Sequence, residues 1–392
     1  MIKRLEILTA GESHGKGLVG IIHGLPAGLD IDPEKINFQL VRRQRGAGRG
    51  QRMQIEKDTV EIISGIRFGK TLGSPIAVMV KNRDWENWEQ KMAPFGKPAD
   101  EEISIPRPGH ADFAGSVKYN HSDLRNVLER ASARETAMRV AIGAIAMHFL
   151  DNFGIQIKSH VINIGGIKSS DSFIKFCNED TEQSAERIGS AHLKAEKSDV
   201  RCASEITANA MIEKINKAGE NGDSLGGVFE VAALNVPAGL GSYTLWDTRL
   251  DALLSFALMS IPGIKSVEIG AGIQAADMSG SQFHDPFLIK KEKIIRSQNN
   301  CGGIEGGISN GQPVIIRAAM KPIPTLVKPL QSVDLKTMQP SPAHKERSDV
   351  CAVPAASIVG EAMTALVLAD AFLLRFGGDS MEQVRNNFFA SK

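Results

Sequence analysis

The chain is poor in the residues that mark several common protein classes. Its four cysteines, Cys177, Cys202, Cys301 and Cys351, are scattered without a CxxC pair, which argues against a structural zinc site and a disulfide framework and fits a reducing compartment. Aromatic residues make up 5% of the chain, leaving few platforms for stacking bases. Formal net charge is +1, so no global field directs the protein to nucleic acid or an anionic membrane. The N-terminal MIKRLEILTAGESHG contains too short an apolar run for a signal peptide, and no later run is expected to span a membrane. The expectation is a cytoplasmic protein. There is no Walker loop, GxSxG elbow or HExxH, so nucleophilic and metal mechanisms lose ground, and no metal site is expected.

What is present suits a large core. The 392 residues are 42% apolar and include 38 glycines, enough for one large domain or two ordinary ones with many turns and close backbone approaches. Periodicity predicts strands over 6–10 and 18–23, a helix from Asp32-Pro33-Glu34 to about Arg43, and strands over 55–64 and 75–80. Gly15 to Gly20 matches GxGxxG, but a strand follows where a helix should start, so the dinucleotide fingerprint fails. Residues 84–105 read as a surface excursion. Residues 169–220 are charged and helix-leaning, with little obvious chemistry. Further on, strands are expected over 161–164, 226–236 and 312–320, and helices over 245–259 and 354–376, the last capped by Gly377-Gly378.

The stretch from Pro106 to Leu150 carries the densest chemistry. A Pro-Gly-His turn with His110 precedes apolar residues at helical spacing from Leu124 onward, predicting one long helix buried on most of its circumference. Arg125, Arg130, Arg134 and Arg139 sit on that helix beside Ser132, where they need carboxylates such as Glu129 and Glu135, a bound anion, or water.

The two halves resemble each other. Gly11–Leu29 aligns with Gly222–Leu240 at seven of nineteen positions. In the same order, Gly65–Val78 matches Gly303–Ile316, PRPGH at 106–110 matches PSPAH at 340–344, and Glu129-Arg130 matches Glu346-Arg347. This predicts one domain over 1–392, built from duplicated halves at about 1–165 and 222–378. A pseudo-twofold axis would place Ser132 opposite Asp349. His14 has become Leu225 in the second copy, so the two loops have unequal chemistry.

Three groups carry candidate function. Arg43, Arg49, Arg52, Arg107, Arg134 and Arg139 suit a small, multiply charged anion, because guanidinium groups bind carboxylates and phosphates with paired hydrogen bonds. His14 and His110 lie in glycine turns and have a side chain suited to proton transfer. Asp349 with Ser132 and Ser13 could form a hydrogen-bond relay. The residues alone point to an enzyme that acts on a small polyanion with general acid and base groups. Two alternatives stay open: RRQRGAGRGQR as a basic RNA-binding segment, and a non-catalytic metabolite binder. Against the first stand Glu56, Asp58 and Glu61 close behind the patch. Against the second stand His14, His110 and Asp349.

A family resemblance goes further. GESHG at 11–15, Arg42-Arg43-Gln44 with Gly48-Arg49-Gly50 and Arg52-Met53, RPGHAD at 107–112, ERASARET at 129–136, KPIPT at 321–325 and Arg347-Ser348-Asp349 together resemble chorismate synthase along the whole chain. The resemblance implies an α+β fold with helices sandwiched between antiparallel sheets, a homotetramer, and a carbon–oxygen lyase. That enzyme takes 5-enolpyruvylshikimate 3-phosphate to chorismate by anti-1,4-elimination of phosphate, requiring reduced FMN without net redox change.

It also implies roles. His14 acts on the departing phosphate, His110 on the protonation of the reduced flavin, and Asp349 with Ser13 and Ser132 on proton relay from flavin N5. Substrate contacts fall to His14, Arg43, Arg49, Arg52, Arg107, Arg134 and Arg139. Flavin contacts fall to Ser132, Ala133, Arg134, Pro262, Gly263, Gly306, Lys321, Pro322, Ile323, Pro324, Thr325 and Arg347. Arg43 and Arg49 serve either substrate or NADPH, and NADPH is needed only if flavin reduction is intrinsic; an external flavin reductase is the expected partner, with no nucleic acid and no membrane. Gly263, Ser266, Cys301 and Ile304 depart from the family pattern.

Overall fold

A computed structural model describes residues 4–50, 57–97, 101–290, 292–346 and 348–391. The first half supplies β1 (Glu6–Ala10), β2 (Gly17–His23), β3 (Val60–Ser64), the ribbon β4 (Ile66–Arg67) and β5 (Lys70–Thr71), and β6 (Ile76–Lys81). A sheet forms in the order β1-β2-β6-β3, antiparallel throughout. Strand alternation points Leu18, Ile22, Ile76, Val78 and Val80 into the core and leaves Leu8, Ile21 and Ile63 outward.

The second sheet uses β7 (Gln156–Ile164), β8 (Ile167–Lys168), β9 (Gly227–Leu234), β10 (Ile264–Ile269) and, after two short ribbon pairs are counted, β15 (Val314–Met320), in the order β10-β15-β9-β7-β8. The ribbons are β11 (Phe287–Lys290) with β12 (Lys293–Arg296), β13 (Ile304–Glu305) with β14 (Ile308–Ser309), and, beyond β15, β16 (Gln331–Asp334) with β17 (Gln339–Pro342). Between the sheets run two apolar helices, Thr136–Asp151 and Val353–Phe376, packed on each other. The first lies on β2 and β6, the second on β7 and β9.

The matched sequence segments fall on elements in the same order along the chain: β2 and β9, β4–β5 and β13–β14, β6 and β15, and then the two central helices. The two central helices touch at a glycine. A Cβ at Gly143 would lie 2.5 Å from Ala362 Cβ, closer than carbon atoms can approach. One core cluster draws on both halves, from Leu5 and Ile36 to Phe372 and Phe388.

Two expectations are corrected. The single helix predicted from Leu124 is broken: Arg125–Ala131 ends at Ser132, whose ψ of 141° is extended, and its side chain accepts from Arg134 N to cap the next turn. Apolar periodicity runs through the break because both pieces face the same core. In addition, Val353–Phe376 is long and apolar enough to cross a membrane, contrary to the sequence reading, but it is almost wholly buried between the second sheet and the other helices.

Residues 169–220 fold as three helices, Phe173–Glu179, Ser184–Glu196 and Glu205–Glu220. They are fastened by ion pairs. Buried Arg42 bridges Glu196 (2.5 Å) and Glu361 (2.6 Å), while Arg201 reaches Glu196 and Glu361. Burial opposes the Glu196 charge, but Arg42 and Arg201 outweigh it and hold that carboxyl down to about 2.

Candidate active site

The cationic cluster forms where the Pro33–Gln44 helix ends against the broken helix. Arg43, 4% exposed, donates from Nε to Thr136 Oγ1 (3.0 Å) and from Nη2 to the Ala133 carbonyl (3.0 Å). Arg134 donates from Nη1 to both oxygens of buried Asp58 (2.7 Å) and from Nε to Asn82 Oδ1 (2.9 Å). Asp58 also stands 3.8 Å from Arg43. Arg49 pairs with Asp349 at 2.7 Å, and the Asp349 carboxylate accepts the Gly50 N–H at 2.6 Å.

Burial pushes Arg43 down to about 10; Arg49 and Arg134 act in the same direction, while Asp58 and Asp349 oppose them. Its Nη1 is buried and has no hydrogen-bond partner among the described residues. Three guanidiniums thus gather in one buried neighbourhood, a cationic setting that suits an anion.

The cluster is tied to the loop that carries His14. Asn82, whose oxygen holds Arg134, donates from Nδ2 to the carbonyls of Glu12 (3.1 Å) and Gly15 (2.8 Å). Ser13 is buried, and its N–H donates to the Glu129 carbonyl at 3.0 Å. His14 Nδ1 lies 3.0 Å from the Glu129 carboxylate, and the ring stacks on Trp88 with centroids 3.9 Å apart.

A second cluster surrounds His110. Arg107 is buried and clasps Asp112 through Nε (2.8 Å) and Nη2 (3.1 Å), with Nη1 on Thr325 Oγ1 (3.0 Å). His110 Nδ1 lies 2.5 Å from Asp112 Oδ1 and 3.0 Å from Arg107 Nη2. One ring nitrogen cannot donate to the carboxylate and accept from the guanidinium at once. The shorter contact favours Nδ1–H donating to Asp112. Burial would raise the Asp112 carboxyl, but His110 and Arg107 hold it well below the usual range.

Lys321 Nζ donates to the Gly109 carbonyl, and the Lys321 N–H donates to Gly263 O at 2.9 Å. The turn 262–263, the loop 321–325 and the RPGH turn therefore meet. This cluster joins the first through the second-copy loop: Ser224 Oγ donates to Ile323 O (2.7 Å), and the Leu225 N–H to Val350 O (2.8 Å), next to Asp349.

Arginines from distant segments thus gather in two clusters, one tied to the loop of His14 and one around His110. The sequence profile of the chorismate synthase family matches residues 5–373. The chain belongs to the chorismate synthase family. It is 55% identical to the chorismate synthase of Aquifex aeolicus, over 99% of this chain and 97% of that protein. Identity to the chorismate synthase of Alkaliphilus metalliredigens is 52%, over 98% of each. A crystal structure of chorismate synthase is similar with a TM-score of 0.81 and 46% identity, covering 100% of this chain and 98% of that one.

Within this chorismate synthase fold, Arg43, Arg49, Arg134, Ser132, Ala133 and Asp349 share one neighbourhood, and Arg107, His110, Gly263 and Lys321–Thr325 share another. Arg139 pairs with Glu135 (2.8 Å) and donates to Ser260 Oγ (2.7 Å), two residues before Pro262. Gly307, next to Gly306, packs against Arg249 and Gly241. Arg52 and Arg347 lie outside the described residues.

Sequence reasoning anticipated Glu129 as a carboxylate partner of the arginines but missed Asp58, Asn82, Trp88 and Asp112 as members of the site. RPGHAD carried a signal for Asp112, since a carboxylate two residues beyond a turn histidine can reach back to it. Asp58, Asn82 and Trp88 have ordinary neighbours in sequence and gain meaning only from tertiary contact.

Proposed function

We propose that this chain works as a chorismate synthase, eliminating phosphate from C3 and a proton from C6 of 5-enolpyruvylshikimate 3-phosphate to give chorismate. The observation that carries the reading is the buried convergence of cations: Arg43, Arg49 and Arg134 gather around Asp58 and Asp349, and Arg43 Nη1 lacks a hydrogen-bond partner among the described residues. A substrate with two carboxylates and a phosphate suits such a cationic site, since guanidinium groups bind and orient these anions with paired hydrogen bonds. His14, reached through Asn82 from Arg134, stands on the phosphate side, where it protonates or hydrogen-bonds the leaving group.

The second cluster fits reduced FMN. Lys321, Arg107 and Thr325 offer cationic and hydroxyl donors, and Gly109 makes the turn beside them at φ +81°, a left-handed conformation that favours glycine. When bound, the reduced flavin supplies a transient electron with no net redox change. His110, anchored on Asp112, would control protonation on that side. Asp349, positioned by Arg49 and Gly50, with Ser132 and Ser13, would take up the substrate proton.

The same reading includes a single domain over 1–392 and a homotetramer, supported by outward apolar residues on the first sheet (Leu8, Ile63) and on the β11–β12 ribbon (Ile289, Ile294). A cytoplasmic location is supported by four free cysteines.

The test is an anaerobic assay with substrate and chemically reduced FMN, following phosphate release and chorismate absorbance. Turnover is expected; its absence with intact, folded protein refutes the reading. Oxidised FMN with NADPH should support turnover only after an external flavin reductase is added, leaving Arg43 and Arg49 to the substrate.

A further inference from the structure

We propose that Glu129 and Trp88 are positioning residues that hold His14 in one tautomer and one ring orientation. The inference rests on the reading of His14 as the group facing the departing phosphate. Glu129 closes the short helix Arg125–Ala131 and is 2% exposed. It takes hold of the 13–14 loop at three points. Its carboxylate accepts the His14 backbone N–H at 2.8 Å, both carboxylate oxygens lie 3.0 Å from His14 Nδ1, and its carbonyl accepts the Ser13 N–H. An ionised carboxylate can only accept, so Nδ1 keeps a hydrogen and Nε2 is the nitrogen presented to substrate, accepting in the neutral ring and donating to phosphate once the ring holds a second proton.

The carboxylate is itself held. Arg125, one helical turn earlier, donates to Glu129 Oε1 at 3.1 Å. The Arg125 guanidinium also lies 5.0 Å from the Trp88 ring centroid, the same ring on which His14 stacks at 3.9 Å with 21° between planes. Trp88 is fixed by its Nε1–H donating to Asp84 at 3.0 Å. Rotation of the imidazole would break the Nδ1 contact and the stack together. Farther out, Glu346 lies 3.9 Å from Arg125 and 3.1 Å from His344, so charge alternates outward from the imidazole, and Glu129 is the carboxylate closest to it.

The experiment uses the full-length protein with ¹⁵N-labelled histidine, and compares Glu129→Gln, Trp88→Phe, Trp88→Ala and His14→Ala. The chain has three tryptophans, so a Trp85→Phe/Trp246→Phe background leaves Trp88 as the sole indole reporter. In Glu129→Gln the ¹⁵N signals of His14 are expected to lose the pure Nδ1–H pattern and Trp88 fluorescence to change. Its kcat should fall about 10²-fold with KM shifting less than about threefold, the signature of a misaligned proton donor. Trp88→Phe, which keeps a stacking ring, should recover most of a roughly tenfold kcat loss seen in Trp88→Ala.

An unchanged His14 tautomer in Glu129→Gln, or equal kcat in Trp88→Phe and Trp88→Ala, overturns the inference. Full turnover by His14→Ala would instead remove the reacting role of His14 while leaving the tautomer result intact, so the two failures are distinguishable.

Discussion

Replacing Asp58 by asparagine tests the charge balance on which the substrate site depends. Asp58 is 2% exposed and meets Arg134 Nη1 with both oxygens at 2.7 Å and Arg43 Nη1 at 3.8 Å. At an effective dielectric of about 20, Coulomb's law puts these attractions at about 6 and about 4 kcal/mol. Breaking a buried pair on one side costs less than that sum, about 3–5 kcal/mol, because the surroundings relax. With an unfolding entropy of about 2.1 cal/mol/K per residue over 392 residues, that loss lowers Tm by roughly 5 °C.

The same change makes the pocket more positive, so inorganic phosphate should bind about tenfold tighter to Asp58→Asn than to the native protein and restore part of the lost Tm. Saturation at about 100 times Kd returns about 2.7 kcal/mol. Scanning calorimetry across a phosphate series reads both effects. A variant melting within about 1 °C of the native protein, or binding phosphate no more tightly, would refute the claim that Asp58 balances the arginines that receive the anion.

His14→Ala and His110→Ala should each lower turnover by about 10²–10⁴-fold while moving Tm by less than about 3 °C, as steady-state assays and melting curves would show. Glu196 is held from an ordinary 4.5 down to about 2, against burial, by Arg42 and Arg201. A depressed carboxyl stabilises the fold above its unfolded value and loses that contribution as pH falls through its folded value. Between about pH 4.5 and 2 the native protein should therefore lose roughly 2–3 kcal/mol that Glu196→Gln never had, a difference visible in urea unfolding at several pH values. Gly143→Ala places a Cβ 2.5 Å from Ala362 Cβ and should cost about 1–3 kcal/mol by overpacking, measured as a lower urea midpoint.

The proposed repeat rests on glycine and proline placed at the same turns, as in PAGL at 26–29 and 237–240. Those residues mark backbone geometry, which survives divergence of the side chains. Arg42 and Arg43 show where reading along the chain stops. They are neighbours in sequence, but a helix turns about 100° per residue. Arg42 therefore joins Glu196 and Glu361 on one side while Arg43 reaches Thr136 and Ala133 on another. The break at Ser132 was hidden for a related reason: apolar spacing reports which side faces the core, and both helical pieces face it. Trp88 looked like surface because its segment is rich in charge, whereas Lys91 and Arg125 are the cations that flank its ring.

The divergence of the two first loops has a consequence for stoichiometry. Each half folds its glycine loop beside a strand, but where the first presents an imidazole the second has Leu225, whose N–H is committed to Val350 and whose backbone bridges to Cys351. On the duplication proposed from the sequence, the chain holds a single equipped cradle; the second loop serves as masonry for the neighbouring Asp349. Titration with substrate should saturate at one molecule per polypeptide.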